Sequence, residues 1–170
     1  MHVLIATDGS MDIDKAATFA IALAGEGGST TVATVVRVPR RMVQELKSKY
    51  GDQPPVTADS DAEYVGSPTV PDTLERGWPG EDAMIERYLG DKRIEYCRPV
   101  VEAIRLRGGE ASSIVQENDE VEEALLDLID ELDADVIVVG SHGHGAFVGL
   151  LGSTGAKLVR RSPVPVLVLR

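Results

Sequence analysis

The chain has 170 residues and a formal net charge of −11 at pH 7, and 43% of its residues are hydrophobic. This length and composition predict one globular domain that buries roughly 70% of its unfolded surface, and the single cysteine, Cys97, excludes an intrachain disulfide. The negative charge argues against nucleic acid or a membrane surface as a partner but not against a small phosphorylated ligand, because salt screens charges beyond about 8 Å.

The opening third of the chain predicts a β-α-β unit. The apolar run at residues 2–7 is typical of a strand buried on both faces. Ser10 is the expected N-cap of the next helix, which Gly25 ends and whose apolar face repeats at helical spacing through Ala16, Phe19, Ala20 and Leu23. The β-branched run at residues 30–38 predicts a second strand, parallel to the first with a right-handed crossover.

The middle of the chain interrupts this alternation. Residues 40–50 have the composition of a short helix, but residues 51–82 hold five prolines among acidic and small residues with no sustained period. That stretch is too long for an ordinary connection, so we predict an acidic, proline-rich insertion within a single domain spanning 1–170, either mobile or folded over a neighbouring surface. Its Trp78 is expected to anchor it to the body of the domain, the alternative being a lid over a ligand.

Helix and strand patterns alternate again in the second half. Residues 83–107 have a helical composition, with breaks expected at Gly90 and Pro99. A short strand is predicted at 110–116. A capping-box pattern at Asp119 and Glu122 marks the start of the clearest helix, whose apolar face is formed by Val121, Leu125, Leu128 and Leu132. A buried strand, a helix and a closing strand follow, at 135–140, 154–161 and 164–169.

About five strands therefore alternate with helices, which predicts a three-layer α/β/α, doubly wound, Rossmann-like fold with a mostly parallel sheet. In such sheets, ligands bind beyond the carboxyl ends of the strands, at a point where the strand order reverses. Two segments that follow predicted strands are candidates for a site: TDGS after the first strand, and GSHGHG after the strand at 135–140.

The second of these segments is rich in glycine. Gly140 and Gly143 carry no Cβ, so backbone N–H groups can face an anion there. The sequence GST at 152–154 opens the next helix, where free N–H groups, a partial positive charge and two hydroxyls are typical of a phosphate site. Lys157, one turn further on, is placed to reach the same anion.

Other site types fit these residues less well. The sequence GSTGAK lacks the Gly-Lys-Ser/Thr of a P-loop, and GSHGHG does not give the dinucleotide-binding fingerprint. His142 and His144 have no carboxylate or cysteine nearby in the sequence, so we predict loop donors or solvated side chains and no metal site. For Asp8 two roles stay open: an Asx-turn after the first strand, and a carboxylate that accepts hydrogen bonds from ribose hydroxyls.

Three segments resemble the universal stress protein family: VLIATDGS near the start, DVIVVGSHGHG with the later LLGST, and PVPVLVLR at the end. The resemblance covers roughly residues 1–38 and 93–170, and not the insertion. It implies an adenine nucleotide alpha hydrolase-like domain, usually dimeric, that binds ATP or AMP and carries the hallmark G-x2-G-x9-G-(S/T). Gly140 and Gly143 match the first half and Gly152-Ser153 the second, but eight residues rather than nine lie between Gly143 and Gly152. The loop is thus about 3 Å shorter.

The resemblance also implies a role for particular residues. Asp8 would hold the ribose, with Thr7 beside the pocket, and Val36 would meet the adenine through its backbone. The residues that would surround the ribose and phosphates are Gly140, Ser141, His142, Gly143, Gly152, Ser153 and Thr154. The implied ligand is ATP or AMP, with or without Mg. The final strand resembles the dimer-forming edge of the family, and its flat apolar edge agrees with a homodimer.

These observations predict a nucleotide-dependent sensor or regulator in stress response, with an unidentified protein partner. We expect it in the cytoplasm, because the first ten residues lack a basic signal segment and their apolar run is too short to cross a membrane. No pattern predicts rapid catalysis, and slow ATP hydrolysis or autophosphorylation on Ser153 or Thr154 is the most that we expect. Two alternatives stay open: a dimeric interaction module that binds no nucleotide, and a nucleotide hydrolase or phosphotransferase completed by Trp78 and the insertion.

Overall fold

The computed structural model describes residues 1–41, 44, 48, 81–141 and 152–170. The chain forms two compact units: a sheet unit made of Met1–Arg37 and Leu89–Arg170, and a second unit, Val38–Tyr88. In the second unit, Arg40, Arg41, Gln44 and Ser48 are helical, in agreement with the helix predicted there. Residues 51–80 of the predicted insertion lie outside the described residues, and the single domain spanning 1–170 stays a prediction.

Five parallel strands form the sheet: β1 His2–Ala6, β2 Ser29–Val36, β3 Glu110–Glu117, β4 Val136–Gly140 and β5 Val166–Leu169. Their order is β3-β2-β1-β4-β5, and all four neighbouring pairs are parallel. The predicted α/β fold with a five-stranded sheet is confirmed. β1 lies at the centre, so the chain winds to one side of it through β2 and β3 and to the other side through β4 and β5.

The α-helices whose bounds lie within the described residues are α1 Ile13–Ala24, α2 Glu81–Lys92, α3 Arg98–Leu106, α4 Val121–Glu131 and α5 Ser153–Arg161. None of the helices in these parts of the chain is long and apolar enough to cross a membrane. Gly90 does not interrupt α2. The expected break before Pro99 is instead a π-helical turn, Arg93–Cys97, that joins α2 to α3. This wider turn suits a residue that has no N–H and whose ring clashes with the preceding turn of an α-helix.

Apolar side chains cover both faces of the sheet. Val3 and Ile5 of β1 belong to a core cluster with residues of α1 and α3, whereas Leu4 belongs to a second cluster with residues of α4 and α5. The two clusters give the three layers predicted from the sequence. They also explain why β1 is a continuous apolar run, because successive side chains of a strand point to opposite faces and here both faces are buried.

Helix α1 differs from its prediction in its cap and its buried face. Asp12 is the N-cap, and its Oδ1 accepts a hydrogen bond from the Lys15 backbone N–H at 3.0 Å. Ser10 was the wrong residue for this role, since its hydroxyl donates to Asp8 Oδ1 at 2.5 Å. Phe19 is 43% exposed, while Ala16, Ala17 and Ala20 are buried against the sheet. A row of alanines lets the helix lie close to the strands, and Phe19 points away from them.

Helix α4 begins without the predicted capping box. Glu120 precedes its first residue and makes no side-chain cap, and the Glu122 carboxylate accepts a hydrogen bond from Lys157 instead of from the backbone at Asp119. The apolar face is confirmed: Leu125 and Leu128 are buried in the second core cluster, and Val121 and Leu132 pack against it.

Cys97 is predicted to be chemically inert in the folded protein. Its side chain is fully buried, and its Sγ lies 3.8 Å from the carbonyl oxygen of Ile114. Burial raises the pKa of the Cys97 thiol to about 11, so little reactive thiolate exists at neutral pH. We expect a chromogenic disulfide reagent to react with native protein about a hundredfold more slowly than with protein unfolded in guanidinium. Equal rates would contradict this burial.

Candidate functional site

A cavity of about 200 Å³ opens at the carboxyl ends of the central strands of the sheet unit. β1 has β2 on one side and β4 on the other, so the strand order reverses here. This is the place where doubly wound sheets bind ligands. The two candidate segments predicted from the sequence both contribute to its wall.

Six of the residues predicted for the site line this cavity: Thr7, Asp8, Gly140, Gly152, Ser153 and Thr154. Thr7 and Asp8 follow β1, and Gly140 ends β4. Gly152 is the N-cap of α5, and Ser153 and Thr154 are its first two residues. Their convergence places one carboxylate, three hydroxyls and the amino-terminal end of a helix around a single cavity. His142 and Gly143, also predicted for the site, lie outside the described residues, as does His144.

Two described residues that were predicted for the site, Val36 and Ser141, are not among the residues that line the cavity. Val36 was predicted to meet the adenine through its backbone, but its neighbour Val35 is the residue of β2 that lines the cavity beside Ala33. Because side chains alternate along a strand, Val36 points to the opposite face, and its carbonyl oxygen accepts the N–H of Asn118 at 3.2 Å. Ser141 is buried, and its N–H donates to the Leu169 carbonyl oxygen at 2.7 Å, which extends the pairing of β4 with β5.

The other described residues of the cavity wall are apolar, and none of them was predicted from the sequence to be part of a site. Met11, Val35, Val121 and Leu125 line it, together with small or aliphatic residues of β1, β2, β4 and α5. Val121 and Leu125 were predicted as the buried face of α4, but a helical pattern does not show where a buried face ends and a cavity wall begins. The site therefore has an apolar side and a polar side.

Asp8 forms a tight turn directly after β1. Its Oδ1 accepts hydrogen bonds from the Ser10 N–H at 3.0 Å and from the Ser10 hydroxyl at 2.5 Å. The Gly9 N–H donates to Thr7 Oγ1 at 3.1 Å. The Asx-turn, one of the two roles left open for Asp8, is present. The turn fixes the position of the carboxylate, and hydrogen bonding of Asp8 to ribose stays a prediction.

The back of this turn is packed against an aromatic ring. Gly9 has a φ of +86°, and a Cβ at this position would lie 2.5 Å from Cδ1 of Tyr96. Tyr96 belongs to the π-helical turn, and Lys92 donates to its hydroxyl at 3.0 Å and to Glu95 Oε2 at 2.6 Å. The hydrogen bond to Glu95 raises the pKa of Lys92. The π-helical turn thus positions the Asp8 turn, a contact that the helical composition of this segment could not reveal.

The amino-terminal end of α5 forms the opposite wall. Gly152 is the N-cap residue and makes no side-chain hydrogen bond to the first N–H groups of the helix. These N–H groups carry the partial positive charge of the helix. Lys157 was predicted to reach the anion at the start of α5, but it does not line the cavity. Its ammonium group donates a hydrogen bond to Glu122 Oε1 on α4, and this bond lowers the pKa of the Glu122 carboxyl.

Within the ranges that the structure describes, no three His, Cys, Asp or Glu side chains are grouped so that they could hold a metal ion. The cavity-lining side chains that carry polar groups are hydroxyls and one carboxylate. Such a set can hydrogen-bond sugar hydroxyls and phosphate oxygens, while the apolar wall can contact a flat ring.

Comparison with known protein families matches residues 1–170 to the universal stress protein family. Universal stress protein G of Salmonella typhimurium is 42% identical over 50 residues, which cover 29% of this chain and 35% of that protein. Universal stress protein Sll1654 of Synechocystis is 27% identical over 97 residues, which cover 56% of this chain and 62% of that protein. The chain thus spans about a third to three-fifths of these two curated relatives.

Several solved structures have the same fold. The hypothetical protein MJ0577 superposes with a TM-score of 0.64 at 15% identity, covering 99% of this chain and 94% of that one. The universal stress protein from Archaeoglobus fulgidus in complex with dAMP gives a TM-score of 0.56 at 18% identity, covering 100% and 98%. A universal stress protein in complex with cAMP gives 0.52 at 21% identity, covering 100% and 96%. At these identities the likeness concerns the fold alone.

Proposed function

We propose that this chain, which belongs to the universal stress protein family, binds an adenine nucleotide in the cavity at the carboxyl ends of β1 and β4. The observation that carries the proposal is the convergence of the Asp8 turn and the start of α5 on one cavity. These segments lie more than 140 residues apart in the sequence. In a ligand that has a sugar and a phosphate group, the sugar can bind at the Asp8 turn and the phosphate at the start of α5.

Each part of a nucleotide has a suitable part of the wall. The apolar residues Met11, Val35, Val121 and Leu125 suit the adenine ring, and a backbone contact of Val36 with the adenine stays a prediction. Asp8 suits the ribose hydroxyls. The first N–H groups of α5 and the hydroxyls of Ser153 and Thr154 suit a phosphate. Hydrogen bonds from Ser141, His142 and Gly143 to the ligand stay predictions.

The identity of the ligand is supported by proteins of the same fold. Two of the solved structures are described as complexes with dAMP and with cAMP. Both ligands combine adenine with one phosphate, which agrees with the division of this cavity into an apolar side and an anion-binding side. We propose AMP or ATP as the ligand, with or without Mg.

The proposed role is that of a nucleotide-dependent sensor or regulator in stress response, located in the cytoplasm and acting through a protein partner. The polar side chains of the cavity suit binding, and we expect at most slow ATP hydrolysis or autophosphorylation on Ser153 or Thr154. We also propose a homodimer formed through β5. Among the described strands, β5 is the edge of the sheet beside β4, and an edge strand is a ready template for pairing with a second copy.

Nucleotide binding is tested by thermal unfolding with millimolar AMP, ATP or Mg-ATP. A ligand at a hundred times its Kd adds about 2.7 kcal/mol to the free energy of unfolding, which raises Tm by roughly 5–10 °C for a domain of this size. The double variant S153A/T154A should lose most of this shift, because both hydroxyls line the cavity. The variant T18A is the matched control, since Thr18 lies exposed on α1 and its hydroxyl bonds the Asp14 carbonyl oxygen.

A Tm that none of these nucleotides changes would contradict the proposal and favour the interaction module. A full shift that survives in S153A/T154A would mean that the two hydroxyls do not bind the phosphate. Multiple turnovers of ATP that are lost in D8A would favour the enzyme instead.

A further inference from the structure

Glu122 is a buried carboxylate beside the proposed nucleotide site. Only 8% of its surface is exposed. It lies in the first turn of α4, directly after Val121, which lines the cavity. A negative charge at this place would disfavour a phosphate at the start of α5, because low-dielectric surroundings screen it poorly.

Lys157 supplies the compensating charge. Its ammonium group donates to Glu122 Oε1 from the second turn of α5, next to Leu158, which also lines the cavity. Arg161 lies further away, with its Nη1 3.9 Å from the same oxygen. Removing the partner of a buried carboxylate strongly lowers the free energy of unfolding, whereas the intact pair contributes little to it. The pair joins α4 to α5 across the wall of the cavity.

We propose that Lys157 is a positioning residue, which supports nucleotide binding by neutralising Glu122 and holding the start of α5 against α4 rather than by contacting the phosphate. The inference rests on the proposed function. It differs from the prediction made from the sequence, in which Lys157 reaches the anion itself. The two roles give opposite results when both charges are removed together.

Affinity for AMP in four proteins separates these roles: wild type, K157Q, E122Q and the double variant K157Q/E122Q. In K157Q, Glu122 loses its hydrogen-bonded cation and keeps Arg161 at 3.9 Å. Its charge is then less fully neutralised, and we expect AMP binding to weaken about tenfold, because a nearby like charge disfavours the phosphate. E122Q is expected to bind AMP at least as tightly as wild type. K157Q/E122Q should bind within about threefold of wild type, because the pair is again neutral and similar in shape.

The matched control is E123Q. Glu123 adjoins Glu122 but its side chain is 57% exposed, and its Oε1 lies 3.8 Å from Nη1 of Arg161. We expect no change in its affinity for AMP. The charge-swapped variant E122K/K157E provides a second test if K157Q fails to fold, since it keeps the pair neutral and should bind AMP within about tenfold of wild type.

A double variant as weak as K157Q would overturn the inference and assign Lys157 a direct contact with the ligand. An unchanged affinity in K157Q would overturn it as well. If wild type binds no nucleotide, the proposed function fails, and the pairing is then tested by the Tm values of the same four proteins. If K157Q lowers Tm and the double variant K157Q/E122Q has a higher Tm than K157Q, the result supports the neutralisation of Glu122 by Lys157. If the change in Tm of the double variant equals the sum of the changes in the two single variants, the result contradicts it.

Discussion

Replacing Gly9 with alanine is expected to lower the free energy of unfolding by about 2–5 kcal/mol and to abolish nucleotide binding. Two costs contribute. The φ of +86° at Gly9 is strained for any residue with a Cβ, at about 1–2 kcal/mol. The new methyl group would also lie 2.5 Å from Cδ1 of Tyr96, and overpacking of this kind costs about 1–3 kcal/mol. Relief of the clash moves the Asp8 turn, which lines the cavity.

Gly27 provides a matched control for this prediction. Its φ of +74° is similar, but in the described part of the chain no residue beyond its two neighbours has an atom within 4 Å of the position of a Cβ. G27A should therefore lose only about 1–2 kcal/mol from backbone strain and should bind AMP normally. Chemical denaturation and AMP titration of both variants make the comparison. Equal losses of stability would mean that the contact with Tyr96 carries no energy, and normal AMP binding by G9A would remove the Asp8 turn from the site.

Replacing Val168 with proline is expected to convert the proposed homodimer into monomers without opening the sheet. β5 bonds to β4 through alternate residues, with the Pro165 and Leu169 carbonyl oxygens accepting N–H groups of Ile137 and Ser141 at 3.0 and 2.7 Å. By this alternation the N–H of Val168 faces the open edge. Proline has no N–H, so it removes a donor from the edge and none from the pairing with β4.

The control for this variant is V168A, which shortens the side chain but keeps the N–H and should remain dimeric. L167P is a control for damage to the sheet. By the same alternation the N–H of Leu167 faces β4, and its side chain packs against the first core cluster. It should lower Tm. Size-exclusion chromatography with light scattering gives the mass of each protein. A V168P dimer would place the interface on another surface, and a monomeric wild type would contradict the homodimer.

The fold could be predicted because its signals are local. The apolar run of β1, the β-branched run of β2 and the helical pattern of α4 each identify an element without reference to the others. Alternation of strands and helices then implies a parallel sheet, and parallel strands bring their carboxyl ends to one edge. For this reason the sequence identified Asp8 and residues 152–154 as parts of one site, although they stand at opposite ends of the chain.

The details that could not be predicted depend on contacts between distant residues. Val35 and Val36 are equivalent in a strand that is apolar on both faces, and only the packing of α4 and α5 decides which one lines the cavity. Glu122 fits a capping box when only its neighbours are considered, but its partner Lys157 lies 35 residues away. Tyr96 is in a stretch of helical composition, and the pattern does not indicate a π-helical turn or its contact with Gly9.

The central position of β1 has a consequence for how the molecule assembles. Val3 to Ala6 pair with Val136 to Val139, so β1 gains its second neighbour from a strand that lies 133 residues further along the chain. Such long-range pairings form slowly, since the entropy of closing the intervening loop is lost before the contacts are gained. The cavity is lined by residues of β1, β2, β4, α4 and α5, and it is therefore complete only when these elements have come together. A molecule held there would stabilise the entire fold and not merely a loop.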